Sequence, residues 1–182
     1  PPEAPNQIIQ FFDMSLAPII EELGFRVVLI GLPLFMLYSH KMSFKFLVKS
    51  LWWPWQNLRN VNTKRALFLI VVVGILFGAA HIFSDDAWSV GKFAQAAASG
   101  IIIGWVYFRY GLVCAVLIHW AMNYFIFSYG FIVADVNQIS INDAFLHSLL
   151  STLELMLVVT GLISIAVLVV NYVYSKKHTL EA

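Results

Sequence analysis

The chain has 182 residues, 60% of them hydrophobic and only 12% charged, with a mean hydropathy of +0.81. A soluble domain is about half apolar, so this composition points to one membrane-embedded unit. The formal net charge of +1 offers no basic face for nucleic acid. The one cysteine, Cys114, lies in an apolar run, which excludes an internal disulfide and suits a small buried hydrophobe.

The opening "PPEAP" has neither the basic nor the apolar region of a signal peptide and reads as a linker. With proline as its first residue, the chain is expected to be a processed form or a piece of something longer. Residues 6–14, "NQIIQFFDM", suit a short interfacial helix, so 1–14 reads as linker plus interfacial segment. A helix needs about 20 apolar residues to cross the hydrocarbon, and five segments meet or approach that: 16–38, 65–84, 90–108, 111–129 and 146–174. Ser15 is the expected N-cap of the first, with Pro18 in its first turn. The expected fold is all-α, a polytopic transmembrane helix bundle of about five spans plus interfacial helices. Its membrane domain covers 15–175, and 176–182 form a cytoplasmic tail.

Basic residues set orientation. Lys41, Lys45, Lys49, Arg59, Lys64 and Arg65 follow the first span, Arg109 follows the third, and Lys176 and Lys177 follow the fifth. Asp85, Asp86, Asp135 and Asp143 fall in the opposite loops. Five spans and the charge rule agree on a cytoplasmic C-terminus, in a protein expected at the plasma membrane. Between the first two spans, Lys41, Lys45 and Lys49 recur every four residues before "LWWPW", the pattern of a surface helix with an aromatic anchor. Gly74 and Gly78, and again Gly100 and Gly104, have GxxxG spacing and predict close helix contact.

Ionisable residues inside apolar spans are functional candidates, with a structural ion pair as the competing reading. Here they are Glu21, Glu22, Arg26, His81, His119 and Glu154, with Asn123 as a neutral companion. Glu22 and Arg26, four apart, have the order that favours a helical ion pair. Glu21, five from Arg26, turns about 140° away on an α-helix and is left to face something else, which is the profile of a general base. Phe77 and His81 share a face in "FGAAH", as do His119 and Asn123 in "HWAMN". Counted from the helix ends, Glu21, His81, His119 and Asn123 all fall in the outer half of the bilayer. Glu154 falls there too, as a further site member or a partner for Arg26, while His147 and Lys92 sit near the outer interface.

A carboxylate and two imidazoles at one depth suit two mechanisms of peptide-bond hydrolysis. In one, Glu21 and an imidazole activate water while His119 and Asn123 stabilise the oxyanion. In the other, Glu21, His81 and His119 hold a divalent metal such as zinc that activates the water. No GxSxG-type elbow is present for a covalent route.

"EELGFR", "FGAAH" and "HWAMN" match, in order, the motifs EExxxR, FxxxH and HxxxN. Over about residues 15–130 the chain resembles the CAAX-protease and bacteriocin-processing (CPBP, or Abi) family of intramembrane proteases, relatives of CAAX prenyl endopeptidase 2. The resemblance implies that Glu21 activates water with help from His81, that His119 and Asn123 form the oxyanion site, and that Glu22, Arg26 and Phe77 support them. The family is often named a metalloprotease. A carboxamide is a poor zinc ligand and a good hydrogen-bond donor, so the metal-free form, with no required cofactor, is the expectation. The expected partners are a peptide or protein substrate and the lipid bilayer. An outward-opening site favours a membrane-associated or secreted peptide over a prenylated cytosolic one. The alternative is a non-catalytic membrane protein, either an ion- or proton-coupled transporter or a regulatory scaffold.

Overall fold

A computed structural model describes residues 7–83 and 90–180. The expected linker "PPEAP" and the loop residues Asp85 and Asp86 lie outside the described residues. Every regular element among the described residues is helical, as the composition predicts.

Helix α1 (Gln7–Glu22) runs directly into a π-helix (Leu23–Gly31) and then α2 (Leu32–Tyr38). The expected break between an interfacial helix and a first span is absent. Ser15 is inside α1 rather than capping a new helix, and Pro18 is interior. Nothing in "NQIIQFFDMSLA" stops a helix, and a proline removes a single backbone hydrogen bond that membrane helices tolerate. In the π-helical stretch hydrogen bonds reach one residue further back than in an α-helix; at its end the Leu32 N–H bonds the Val27 carbonyl. Such turns are rare and often mark functional sites. This one starts immediately after Glu21 and Glu22 and contains Arg26.

The expected surface helix is α3 (Phe44–Trp52), followed by the single turn α4 (Pro54–Asn57). Lys41 precedes it, because Ser43 is the cap: its hydroxyl accepts the Phe46 N–H at 3.3 Å. Ser50 is buried and Phe46 and Leu47 pack on the core, while Phe44, Val48 and Trp52 stay exposed beside Lys45 and Lys49. One face thus grips the protein, and the other carries an apolar stripe next to a basic one, as interfacial helices do.

Helices α5 (Thr63–Phe83) and α6 (Val90–Tyr110) pack through the predicted small residues. A Cβ on Gly78 would stand 2.8 Å from the Phe93 carbonyl oxygen, and one on Gly100 would stand 3.2 Å from the Gly74 Cα. The α5–α6 backbones are therefore close enough to exclude side chains at the seam. Around it, Ile30, Leu34, Ile70, Ile103, Tyr107 and Phe108 form the buried core. The surface helices are fastened to the end of α6. The Tyr107 hydroxyl donates to the Leu51 carbonyl at 2.7 Å, the Trp53 indole N–H donates to the Arg109 carbonyl at 2.8 Å, and the Arg109 guanidinium lies 4.1 Å above the Trp55 ring. Gly111, at φ +92°, turns the chain into α7 (Leu112–Asn137).

The chain divides into two compact units, Pro1–Phe125 and Ile126–Ala182. The core just described is in the first. In the second, α8 (Ile141–Leu146) is capped by Ser140, and Phe145 meets Phe127 edge-on at 5.5 Å. In helix α9 (Ser148–Leu180) Leu150 is buried, while the apolar side chains from Leu155 to Val170 are exposed. The hydroxyls of Thr152, Thr160 and Ser164 donate to carbonyls four residues back at 2.7–2.8 Å, which satisfies them within the helix.

Among the described residues three helices are long and apolar enough to cross a membrane: Thr63–Phe83, Leu112–Asn137 and Ser148–Asn171. The protein is an integral membrane, all-α bundle. The other two expected spans are present as helix but do not meet that standard alone. The first is divided among α1, the π-helix and α2, and α6 carries Lys92, Gln95, Ser99 and Arg109 in its apolar run.

Candidate active site

The site is built at the α1–π junction, where two carboxylates meet α7. Glu22 and Arg26 are both completely buried, with Glu22 Oε2 and Arg26 Nε 2.9 Å apart. The expected pairing is present, and Glu154 belongs to the second compact unit, exposed on α9. The pair is close but poorly aligned for a hydrogen bond, and Arg26 Nη1 and Nη2 find no acceptor among the described residues. The guanidinium is instead stacked over the Phe77 ring, 4.5 Å from its centroid, a cation–π contact strengthened by burial.

Glu22 spends its other oxygen on α7. Its Oε1 lies 2.8 Å from His119 Nδ1. The two atoms are within hydrogen-bond distance, with the position of the hydrogen set by the imidazole tautomer. His119 is nearly buried, and its second nitrogen, Nε2, lies 3.8 Å from Glu21 Oε2. Glu21 is the more exposed acid, its side chain 30% exposed, while the Oε2 that faces His119 is buried and has no hydrogen-bond partner among the described residues. The network therefore passes from a sealed arginine to a carboxylate at the edge of the core.

Phe77 ties α5 to this network. Its ring meets Phe25 edge-on at 5.0 Å, His119 edge-on at 5.8 Å and His81 at 4.5 Å. His81 is half-buried, and its Nδ1 lies 2.9 Å from the Phe77 carbonyl one turn back. A carbonyl only accepts, so Nδ1 carries the hydrogen and Nε2 is left free to act. Asn123 is half-buried one turn beyond His119.

Direct polar contacts thus join four of the residues expected at the site: Glu21, Glu22, Arg26 and His119. His81 joins through the Phe77 ring, and among the described residues no hydrogen bond or ion pair links His81 or Asn123 to the carboxylates. The expected i, i+4 companionship of His119 and Asn123 is a shared helix face without a bond between them. The sequence reading missed the Glu22–His119 contact altogether. Its one available signal was that both are polar, at matching depth, and in need of a partner.

The metal alternative needs Glu21, His81 and His119 around one ion. No group of three or more His, Cys, Asp or Glu side chains able to hold a metal occurs among the described residues. His119 Nδ1 is already committed to Glu22, and His81 Nδ1 is committed to the Phe77 carbonyl. The ligand set is not assembled, and no step below passes through a metal.

A membrane-embedded helical bundle with a carboxylate and an imidazole facing each other at the rim of a buried ion-pair network has the makings of a hydrolytic site. The chain belongs to the Rce1-like family of type II CAAX prenyl endopeptidases, whose model matches residues 6–125. The match ends at Phe125, where the first compact unit also ends, and it contains all three motifs. Comparison with curated proteins and with solved structures returns no match.

Proposed function

We propose that the protein is an intramembrane endopeptidase that hydrolyses peptide bonds in a membrane-associated or secreted peptide. The observation that carries this reading is the 3.8 Å separation of Glu21 Oε2 and His119 Nε2. It is too long for a direct hydrogen bond, yet one water oxygen can lie within bonding distance of both. Glu21 takes a proton from that water as it attacks the scissile carbonyl, and His81, with Nε2 uncommitted, assists. Asn123 and His119 donate to the developing oxyanion. Glu22, Arg26 and Phe77 hold this arrangement without touching substrate. The chemistry requires no cofactor.

The distribution of lysine and arginine supports a plasma-membrane orientation with the C-terminus in the cytoplasm and the site toward the exterior leaflet. That placement favours extracytoplasmic peptides over prenylated cytosolic ones.

The test is cleavage of a peptide library by the purified chain in detergent and in proteoliposomes. Wild type is expected to cleave, and Glu21→Gln and His119→Ala to lose at least a hundredfold in rate while keeping the wild-type elution volume and melting temperature. A folded wild type that cleaves nothing, or a Glu21→Gln variant as active as wild type, rejects the reading in favour of a non-catalytic membrane protein.

A further inference from the structure

We infer that Glu22 is a positioning residue that selects the tautomer of His119. This makes His119 Nε2 the group that carries the water-derived proton from Glu21 to the departing amine. The inference rests on the endopeptidase reading for its chemistry, but its tautomer claim stands on geometry alone.

The Glu22 carboxylate faces two groups. Arg26 Nε is 2.9 Å from one oxygen and His119 Nδ1 is 2.8 Å from the other. Both Glu22 and Arg26 are sealed from solvent, so the acid cannot turn to water, and the Phe77 ring packs against both Arg26 and His119. A carboxylate held in this way offers only acceptor positions to the imidazole, and the ring hydrogen is placed on Nδ1. In water the histidine side chain favours the opposite tautomer, so Glu22 changes which nitrogen is available. With Nδ1–H committed inward, Nε2 presents its lone pair on the Glu21 side, at 3.8 Å.

This assignment has a consequence for the reaction. A neutral Nδ1–H ring has no hydrogen on Nε2 and cannot begin as an oxyanion donor. The order of events becomes definite. The water oxygen bonds to the scissile carbon as its proton passes to Glu21. That proton moves to His119 Nε2, which then donates to the oxyanion. As the tetrahedral species collapses the carbon–nitrogen bond breaks, and Nε2 releases the proton to the leaving nitrogen. The second hydrogen of the water stays with the new carboxyl group, and Glu21 and His119 return to their starting states. His119 is thereby a catalytic acid–base, and Glu22 acts through it as the orienting carboxylate does in other imidazole sites.

The experiment uses the full chain in nanodiscs, labelled with [15N]histidine, with the His119 signals identified by their loss in His119→Gln. At a pH where the ring is neutral, the wild-type spectrum is expected to show the Nδ1–H pattern for His119; an Nε2–H pattern overturns the proposal without any variant having to fold. Glu22→Gln, nearly isosteric, is expected to release the ring toward Nε2–H and to lower kcat at least tenfold with KM within twofold. Glu22→Asp is expected to restore part of both. Unchanged tautomer or unchanged kcat in Glu22→Gln overturns the proposal. Glu21→Gln is expected to abolish cleavage while leaving the Nδ1–H signature intact, so a wild type that cleaves nothing defeats the endopeptidase reading and leaves the tautomer result to stand or fall separately.

Discussion

Arg26 Nε and Glu22 Oε2 stand 2.9 Å apart with neither side chain reached by solvent. Removing one member of a buried ion pair leaves an uncompensated charge, at a cost of about 3–5 kcal/mol. Arg26→Met is expected to lower unfolding stability by that amount in detergent. Glu22→Gln combined with Arg26→Met is expected to lose less than the sum of the single changes, because the double variant buries no unpaired charge. Additive losses in a double-mutant cycle would show that the two side chains act independently.

Phe77 is the apolar residue on which the site depends. Its ring contacts Arg26, His81, His119 and Phe25 at once. Phe77→Leu keeps an apolar but smaller side chain at the seam and is expected to cost about 2 kcal/mol or more, because the buried guanidinium loses its ring. It removes the flat surface that holds the guanidinium and both imidazoles. Cleavage by the folded Phe77→Leu variant, assayed below its lowered melting temperature, is expected to fall at least tenfold; full activity would reduce Phe77 to core packing.

Much of this site is legible in the sequence because the bilayer makes polar residues conspicuous. Glu21, Glu22, Arg26, His81, His119 and Asn123 stand out from apolar runs, and the Glu22–Arg26 spacing alone predicts their pairing. What the sequence does not carry is the partner of His119. That partner is 97 positions away, and local spacing shows only that Asn123 shares the His119 face. The π-helix is equally hidden: "LGFRVVLIG" has the composition of any membrane helix, so the α-helical angle between Glu21 and Arg26 was only the default. Ser15 and Pro18 looked like the start of a helix because they carry that chemistry, yet the apolar residues before them already sustain α1. The GxxxG spacing on α5 and α6 does carry the contact, since a missing Cβ has a direct steric meaning.

That steric meaning is testable by contrast between two glycines. A Cβ on Gly78 meets the Phe93 carbonyl at 2.8 Å and the Ala97 Cβ at 2.9 Å, whereas nothing lies within 4 Å of one on Gly161. Gly78→Ala forces the α5 and α6 backbones apart and is expected to cost about 1–3 kcal/mol, as overpacking does. Gly161→Ala, in the exposed helix α9, is expected to be neutral or to stabilise by up to about 1 kcal/mol through helix propensity. Equal effects at the two positions, measured by thermal melting, would mean that the α5–α6 seam is not tight.

The attachment of the surface helices to α6 makes the last prediction. Trp53 donates its indole N–H to the Arg109 carbonyl at 2.8 Å, next to Gly111, whose φ of +92° a residue with a Cβ adopts only under strain. A Cβ there would also stand 2.8 Å from the Trp52 carbonyl oxygen. Trp53→Phe keeps an aromatic ring and deletes the donor, leaving a part-buried carbonyl unpaired at a cost of about 1–3 kcal/mol. Gly111→Ala is expected to cost about as much or more, from backbone strain and the clash together. Both variants should loosen α3 and α4 before the rest of the chain unfolds, so amide exchange at Lys49–Asn57 is expected to accelerate while exchange in the middle of α5 stays at the wild-type rate. Exchange that rises evenly in both places would mean that the surface helices unfold only together with the bundle.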